Sequence, residues 1–201
     1  RYRAAQQARV ARIDARARAL LVRQAEAEAV RTSPEFARLG SRAQRAVLQQ
    51  AAFQPVMTIY RTMANLNYVD NTLDPSPRGY GSLLSERPDL MNFQLTGFGR
   101  VHTPDAWLST WSGLSSNANL LKNGAAITEP VALVNAGRDL DVYPQAHSRA
   151  IFDALASTDK TYFDFPGQLH YFEPDEGEAD DAGAQAQMEV LVPWLQARCP
   201  P

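Results

Sequence analysis

The sequence predicts an α/β protein, and three observations carry that expectation. The last third runs through a short β-branched stretch, a helical stretch, a second β-rich stretch, a polar loop and a closing helix. That order is the pattern of parallel strands with helices packed on the faces of their sheet. The first third, in contrast, reads as helix throughout, and Arg1–Arg31 contains neither Gly nor Pro. Finally, 45% of the 201 residues are hydrophobic, enough for a substantial core. The expected division is a helical and long-loop region over 1–125 and an α/β region over 126–201. No internal repeat is visible.

Each element has its own justification. In "RYRAAQQARVARIDARARALLVRQAEAEAVR", Val10, Ile13, Ala17, Leu20 and Gln24 recur at helical spacing. Ala and Arg both favour helix, so one long amphipathic helix is expected. Its arginines could serve nucleic acid, but Asp14, Glu26 and Glu28 interrupt the basic stripe, and a solvated face is the expectation. "TSPEFARLG" predicts a short helix, capped by Thr32 or Ser33, with Pro34 in its first turn and Gly40 at its close. Ser41 and Gln44 have capping-box spacing and open a helix to about Phe53, ahead of Pro55. A further helix is expected over Val56–Leu66, with Ile59, Tyr60 and Met63 inward. "NYVDNTLDPSPRGYGSLLSERPDLMNF" is rich in Pro, Gly, Asp, Asn and Ser and predicts a long ordered loop. "TPDAWLSTWSGLSSNANLL" predicts a helix capped by Thr103, with Pro104 in its first turn. Trp107, Trp111 and Leu114 would share one face, as core or as the wall of a substrate pocket.

"PVALVNAG" then predicts a buried strand, "PQAHSRAIFDALA" a helix, and "KTYFDF" a second strand. An acidic loop and a terminal helix follow. The acidic run "EPDEGEADDAG" lacks the alternating ligands of a calcium loop and reads as solvated.

The formal charge of −2 points to neither nucleic acid nor an anionic membrane, and no stretch has the length of a membrane span. The single cysteine, Cys199, excludes an internal disulfide framework and argues against a cysteine-built metal site. No metal and no cofactor are expected. A cytoplasmic location is favoured, though so few cysteines equally permit secretion.

Sites in open parallel sheets form at the carboxyl ends of the strands. Two polar groups follow the two expected strands there. Asp139 and Asp141 lie in "NAGRDLDVYP", and His170 lies in "FPGQLHYFEP". If the strands are parallel neighbours, an acid faces an imidazole, which is the orienting half of a nucleophile–His–acid triad. Asp139 is nearest the strand end and is the expected partner; Asp141 is the alternative, with capping of the next helix as its other role. A packed or surface role for His170 is the competing reading. Gly167 is expected to let the chain bend before the histidine, and Tyr171 and Phe172 to wall its ring from water. His102 and His147 are expected to be structural or exposed.

The two turns together resemble the end of an α/β-hydrolase. "GRDLDVYP" is similar to the turn that carries the acid after the penultimate core strand. "PGQLHYF" is similar to the Gly-x-x-His turn after the last strand, in the family's order. The resemblance runs from about Glu129 to the end, and "RPDLMNFQLTGFGRVHTPDAWLSTWSGLSSNA" is also similar to part of a bacterial subgroup. It implies the C-terminal portion of an α/β-hydrolase fold, with 1–125 as a large helical cap or insertion and 126–201 as the last part of the core. It implies cofactor-independent hydrolysis of a small carboxylic ester, with an amide or thioester next. His170 would be general base and acid, Asp139 its orienting acid, and Trp107, Trp111 and Tyr171 would line the substrate pocket.

The family's chain order puts the nucleophile first, in a G-x-S-x-G elbow. "GYGSLLS" and "WSGLSSN" do not match it, and neither follows an expected strand. No oxyanion loop such as "HGGG" is present. The nucleophile is therefore expected on a companion N-terminal segment or chain, consistent with a sequence that opens in helix without Met. Two alternatives stand beside this. One is a relative with another nucleophile, such as an Asp that opens epoxides or displaces halide. The other is a non-catalytic binding module working through the Arg-rich helix.

Overall fold

Thirty residues free of Gly and Pro form one uninterrupted helix, α1 (Tyr2–Arg31). It opens the computed structural model, which describes residues 1–59, 65–83, 85–87 and 100–199. The chain divides into two compact units. One comprises Arg1–Ala64 and Phe98–Ala118; the other comprises Asn65–Gly97 and Asn119–Pro201. The division therefore does not fall at 125/126, because the loop region after Asn65 packs with the C-terminal part. Among the described residues no helix is long and apolar enough to cross a membrane.

In the first unit, α1 packs on α2 (Ser41–Ala52), and the Gln24 amide donates to the Ala51 carbonyl at 3.3 Å. The apolar stripe read from the sequence faces the core. Ala17 is buried with Met57, Ile59 and Trp107, and Val10, Ile13, Leu20 and Leu108 pack against them. Burying a side chain of the size of Met57 or Ile59 stabilises by about 1.5–3 kcal/mol. Strands β1 (Met57–Thr58) and β2 (Val101–His102) pair antiparallel, and Ile59 N–H donates to the Arg100 carbonyl at 2.7 Å. Short α3 (Pro104–Ala106) is capped by Thr103 Oγ1, which accepts from Ala106 N–H at 3.2 Å. It widens into a π-type turn over Trp107–Trp111.

Several expected helices are shorter or absent. Between α1 and α2 there is only one tight turn, Phe36–Arg38, and Gly40 precedes α2 without a side-chain cap. Gln44 turns its amide to the Phe36 carbonyl at 3.0 Å instead of completing a capping box. The helix expected from Val56 begins as strand. Pro55 breaks the preceding helix, and the β-branched Thr58 and Ile59 suit an extended, half-buried chain. Tyr60 and Met63 lie outside the described residues, as does much of "LSERPDLMNF". The helix after Thr103 stops at Trp111, where Ser112 N–H reaches back to the Trp107 carbonyl at 2.8 Å. Trp107 is buried, whereas Trp111 and Leu114 are exposed, so the three do not form one buried face.

The second unit holds the parallel pair that the sequence predicts. Strands β3 (Val131–Ala136) and β4 (Lys160–Phe165) run in step, from Val131 beside Lys160 to Ala136 beside Phe165. Their crossover is a π-type turn over Pro144–Arg149 that continues as α5 (Ala150–Ala154). The Lys160 ammonium closes it, donating to the Phe152 and Leu155 carbonyls at 2.8 Å each. Helix α4 (Leu120–Asn123) packs on α5. The terminal helix α6 (Ala182–Gln196) is tied to β4 by the Trp194 indole N–H, which donates to Thr161 Oγ1 at 3.0 Å. The chain is thus of mixed α/β class.

Candidate active site

Because β3 and β4 end level with each other, the turns that follow them meet. Gly137 N–H donates to the Phe165 carbonyl at 2.8 Å, and Arg138 N–H to the Gln168 carbonyl at 2.9 Å. The Arg138 guanidinium adds bonds to the Gly167 carbonyl at 3.1 Å and to Asp175 at 2.6 Å. This approach requires a glycine at 137: a Cβ there would lie 2.4 Å from Pro166 Cα and 2.6 Å from its carbonyl oxygen. Gly167, on which the sequence reading relied, faces open space, and its φ is not in the left-handed region. Of the two glycines, Gly137 is the one that brings the turns together.

Asp139 is buried, and both of its carboxylate oxygens are engaged. Its Oδ1 accepts from Asp141 N–H at 2.8 Å and from Val142 N–H at 3.0 Å. Its Oδ2 lies 2.8 Å from His170 Nδ1. A carboxylate can only accept, so this contact puts the imidazole proton on Nδ1 and leaves the lone pair on Nε2. The backbone amides fix the acid, and the acid fixes the ring. The His170 side chain is 24% exposed, and its Nε2 has no hydrogen-bond partner among the described residues. The free nitrogen is the one a reacting group would meet.

The histidine loop is braced from behind. Phe172 adopts φ 57°, a left-handed conformation that costs a non-glycine residue about 1–2 kcal/mol. Its ring stands edge-on to Phe165 at 5.4 Å. Gly183, in the first turn of α6, lies so close that a Cβ would sit 2.1 Å from the Phe172 carbonyl oxygen. Tyr171 flanks the imidazole, with ring centroids 4.5 Å apart, but is 70% exposed, so it does not seal the site.

Asp141, the alternative acid, is engaged elsewhere. Its Oδ1 accepts from the Tyr68 hydroxyl at 2.8 Å and its Oδ2 from Leu83 N–H at 3.2 Å. Burial, reinforced by the Asp141 charge, pushes the Tyr68 phenol up and keeps it a donor. Asp74, which is fully buried, accepts from Gln145 and Ala146 N–H at 3.0 and 2.7 Å and caps the crossover. His147 is held below its ordinary value by burial; its Nδ1 faces Tyr143 N–H at 3.4 Å. His102 is buried and edge-on to Trp107 and Trp111, at 6.1 and 5.9 Å.

The remaining pocket candidates belong to the first unit. Trp107 is a core residue there and not a pocket wall, because its indole N–H donates to Asp14 Oδ1 at 2.7 Å in the interior. Ser112 Oγ donates to Asp14 Oδ2 at 2.9 Å. Trp111 is partly exposed against His102. Sequence reasoning overlooked Asp14, Tyr68, Asp74, Gly137 and Gly183. Only Gly137 had a local signal, as a glycine directly after a strand.

Among the described residues no three His, Cys, Asp or Glu side chains converge as a cation site. The dyad can take a proton at Nε2, hold the resulting positive charge against Asp139, and return the proton. Comparison with models of known families, with characterised proteins and with solved structures finds no match to this chain.

Proposed function

We propose that this chain supplies the histidine and acid of a hydrolase of the α/β-hydrolase type, acting on a small carboxylic ester. The observation that carries the reading is the 2.8 Å contact between His170 Nδ1 and Asp139 Oδ2 at the carboxyl ends of two parallel strands. His170 takes the proton of the nucleophile at Nε2 and passes it to the leaving alcohol. Asp139 holds the tautomer and stabilises the imidazolium without itself taking the proton.

In this reading the nucleophile is a serine on a companion segment. Among the described residues, the strand ends that could carry an elbow lead into Gly137 and Pro166, not into a serine. The test is steady-state hydrolysis of a short-chain aryl ester by the assembly that includes that segment. His170→Ala should abolish turnover while leaving circular dichroism unchanged. A wild-type rate in His170→Ala would overturn the proposal.

A further inference from the structure

The loop segment 65–83 belongs to the second unit and grips the turn that carries the acid. The Tyr68 hydroxyl and Leu83 N–H donate to the two oxygens of Asp141, at 2.8 and 3.2 Å. The Arg78 guanidinium lies 4.5 Å over the ring of the fully buried Tyr143, and Tyr68 packs edge-on to the same ring, with centroids 5.8 Å apart. Asp74 accepts from Gln145 and Ala146 N–H. Of these holds, the one on Asp141 leads directly to the dyad. The Asp141 N–H donates to Asp139 Oδ1 at 2.8 Å, and Asp139 Oδ2 faces His170 Nδ1. The Asp141 carboxylate is partly buried and only two residues from that of Asp139, and like charges repel. An O–H on one oxygen and an N–H on the other fix where its charge sits. Packing alone does not call for the phenol oxygen, since a phenylalanine at 68 would keep the ring contact with Tyr143.

We propose that Tyr68 is a positioning residue for the acid–histidine pair, acting through Asp141. The inference rests on the reading of His170 and Asp139 as the proton-transferring half of a triad. Held at both oxygens, Asp141 keeps its N–H on Asp139, and Asp139 keeps the imidazole in one tautomer. Tyr68→Phe deletes one hydroxyl and nothing else. Among the described residues it leaves Leu83 N–H as the one remaining donor to the Asp141 carboxylate. The slack reaches the ring through a single backbone bond, so the effect falls below that of removing the acid itself.

The test is nitrogen NMR of the histidine rings in the full chain, at a mildly alkaline pH where imidazole is neutral, with His170→Ala assigning the signals. The wild-type His170 should show a protonated Nδ1 and a bare Nε2. Tyr68→Phe should move both resonances toward the average of two exchanging tautomers, with circular dichroism unchanged. Asp141→Asn, which disturbs the same bond from its other side, should give the same spectral change. Tyr80→Phe removes a hydroxyl from the same segment at a residue 55% exposed, and should change nothing. In the assembly that hydrolyses ester, Tyr68→Phe should lower kcat about tenfold with KM nearly unchanged, less than the hundredfold that a misplacement of about 1 Å can cost. Three results would overturn the proposal: a wild-type His170 spectrum in Tyr68→Phe, the same spectral change in Tyr80→Phe, or a wild-type kcat in the Tyr68→Phe assembly. A tautomer change in Tyr68→Phe beside a wild-type rate in the His170→Ala assembly would support the positioning role and remove the hydrolase reading alone.

Discussion

Asp14 and Asp139 are buried to nearly the same degree, at 7% and 6% exposure, yet their donors differ in kind. Asp14 accepts from an indole N–H and a serine hydroxyl inside the helical unit. Neither donor titrates in the ordinary range, and neither has a second group that could pass a proton onward. Asp139 accepts from two backbone amides and faces an imidazole whose other nitrogen is open. Removing a carboxylate from water costs several kcal/mol, so both acids need these donors. One arrangement can only lock side chains in place. The other sets a carboxylate against a ring whose second nitrogen is open to a reacting group.

The sharpest way to break the comparison is to exchange acid for amide. Asp139→Asn should lower turnover of the assembly on the order of 10⁴-fold, because the ring loses its fixed tautomer. Asp141→Asn should cost far less, since its carboxylate faces Tyr68 and Leu83 instead of His170. Equal losses in steady-state hydrolysis would show that the acids are not distinguished as proposed. Gly137→Ala probes the approach of the two turns. Pro166 would have to retreat by about 1 Å, and a misplacement of that size can cost on the order of 10² in rate. Gly167→Ala should be nearly silent in the same assay, since open space surrounds it.

On the other side of the comparison, Asp14→Ala should leave the dyad alone and act on stability. It strands the indole N–H of Trp107 and the hydroxyl of Ser112, so a loss of about 1–3 kcal/mol is expected in urea denaturation. The smallest effect concerns pH. Burial holds His147 below its ordinary value of 6.5, so in acid the unfolded chain binds the proton first. The stability this group contributes is complete above about pH 6.5 and is lost as pH falls through the depressed folded value. His147→Gln should flatten that stretch of the stability curve, measured by thermal unfolding between pH 7 and 5.

The strands that carry the dyad were legible because their signals are local. Six β-rich residues in "KTYFDF", and "VALVNA" ahead of a glycine, specify their own conformation, and the acid and histidine sit at fixed offsets from the strand ends. The face of α1 was legible for the same reason. What escaped was non-local. Asp14 reads as a break in a basic stripe until Trp107, 93 residues away, supplies its donor. Strands of two residues, such as β1 and β2, have no periodicity to detect. Gly137 and Gly167 both lie just past an expected strand, and the closeness of Pro166 is what makes a glycine obligatory at 137 alone. Asp74 and Tyr68 come from a loop whose composition specifies turns but not what those turns will touch.

We propose that His170 and Asp139 are the histidine and acid of a triad whose nucleophile is supplied from outside this chain. Labelling by a fluorophosphonate probe tests it most directly. The isolated 201-residue chain should not label, the assembly with its companion segment should label, and His170→Ala in that assembly should abolish labelling. Labelling of the isolated chain would place the nucleophile within it and rule out a split triad.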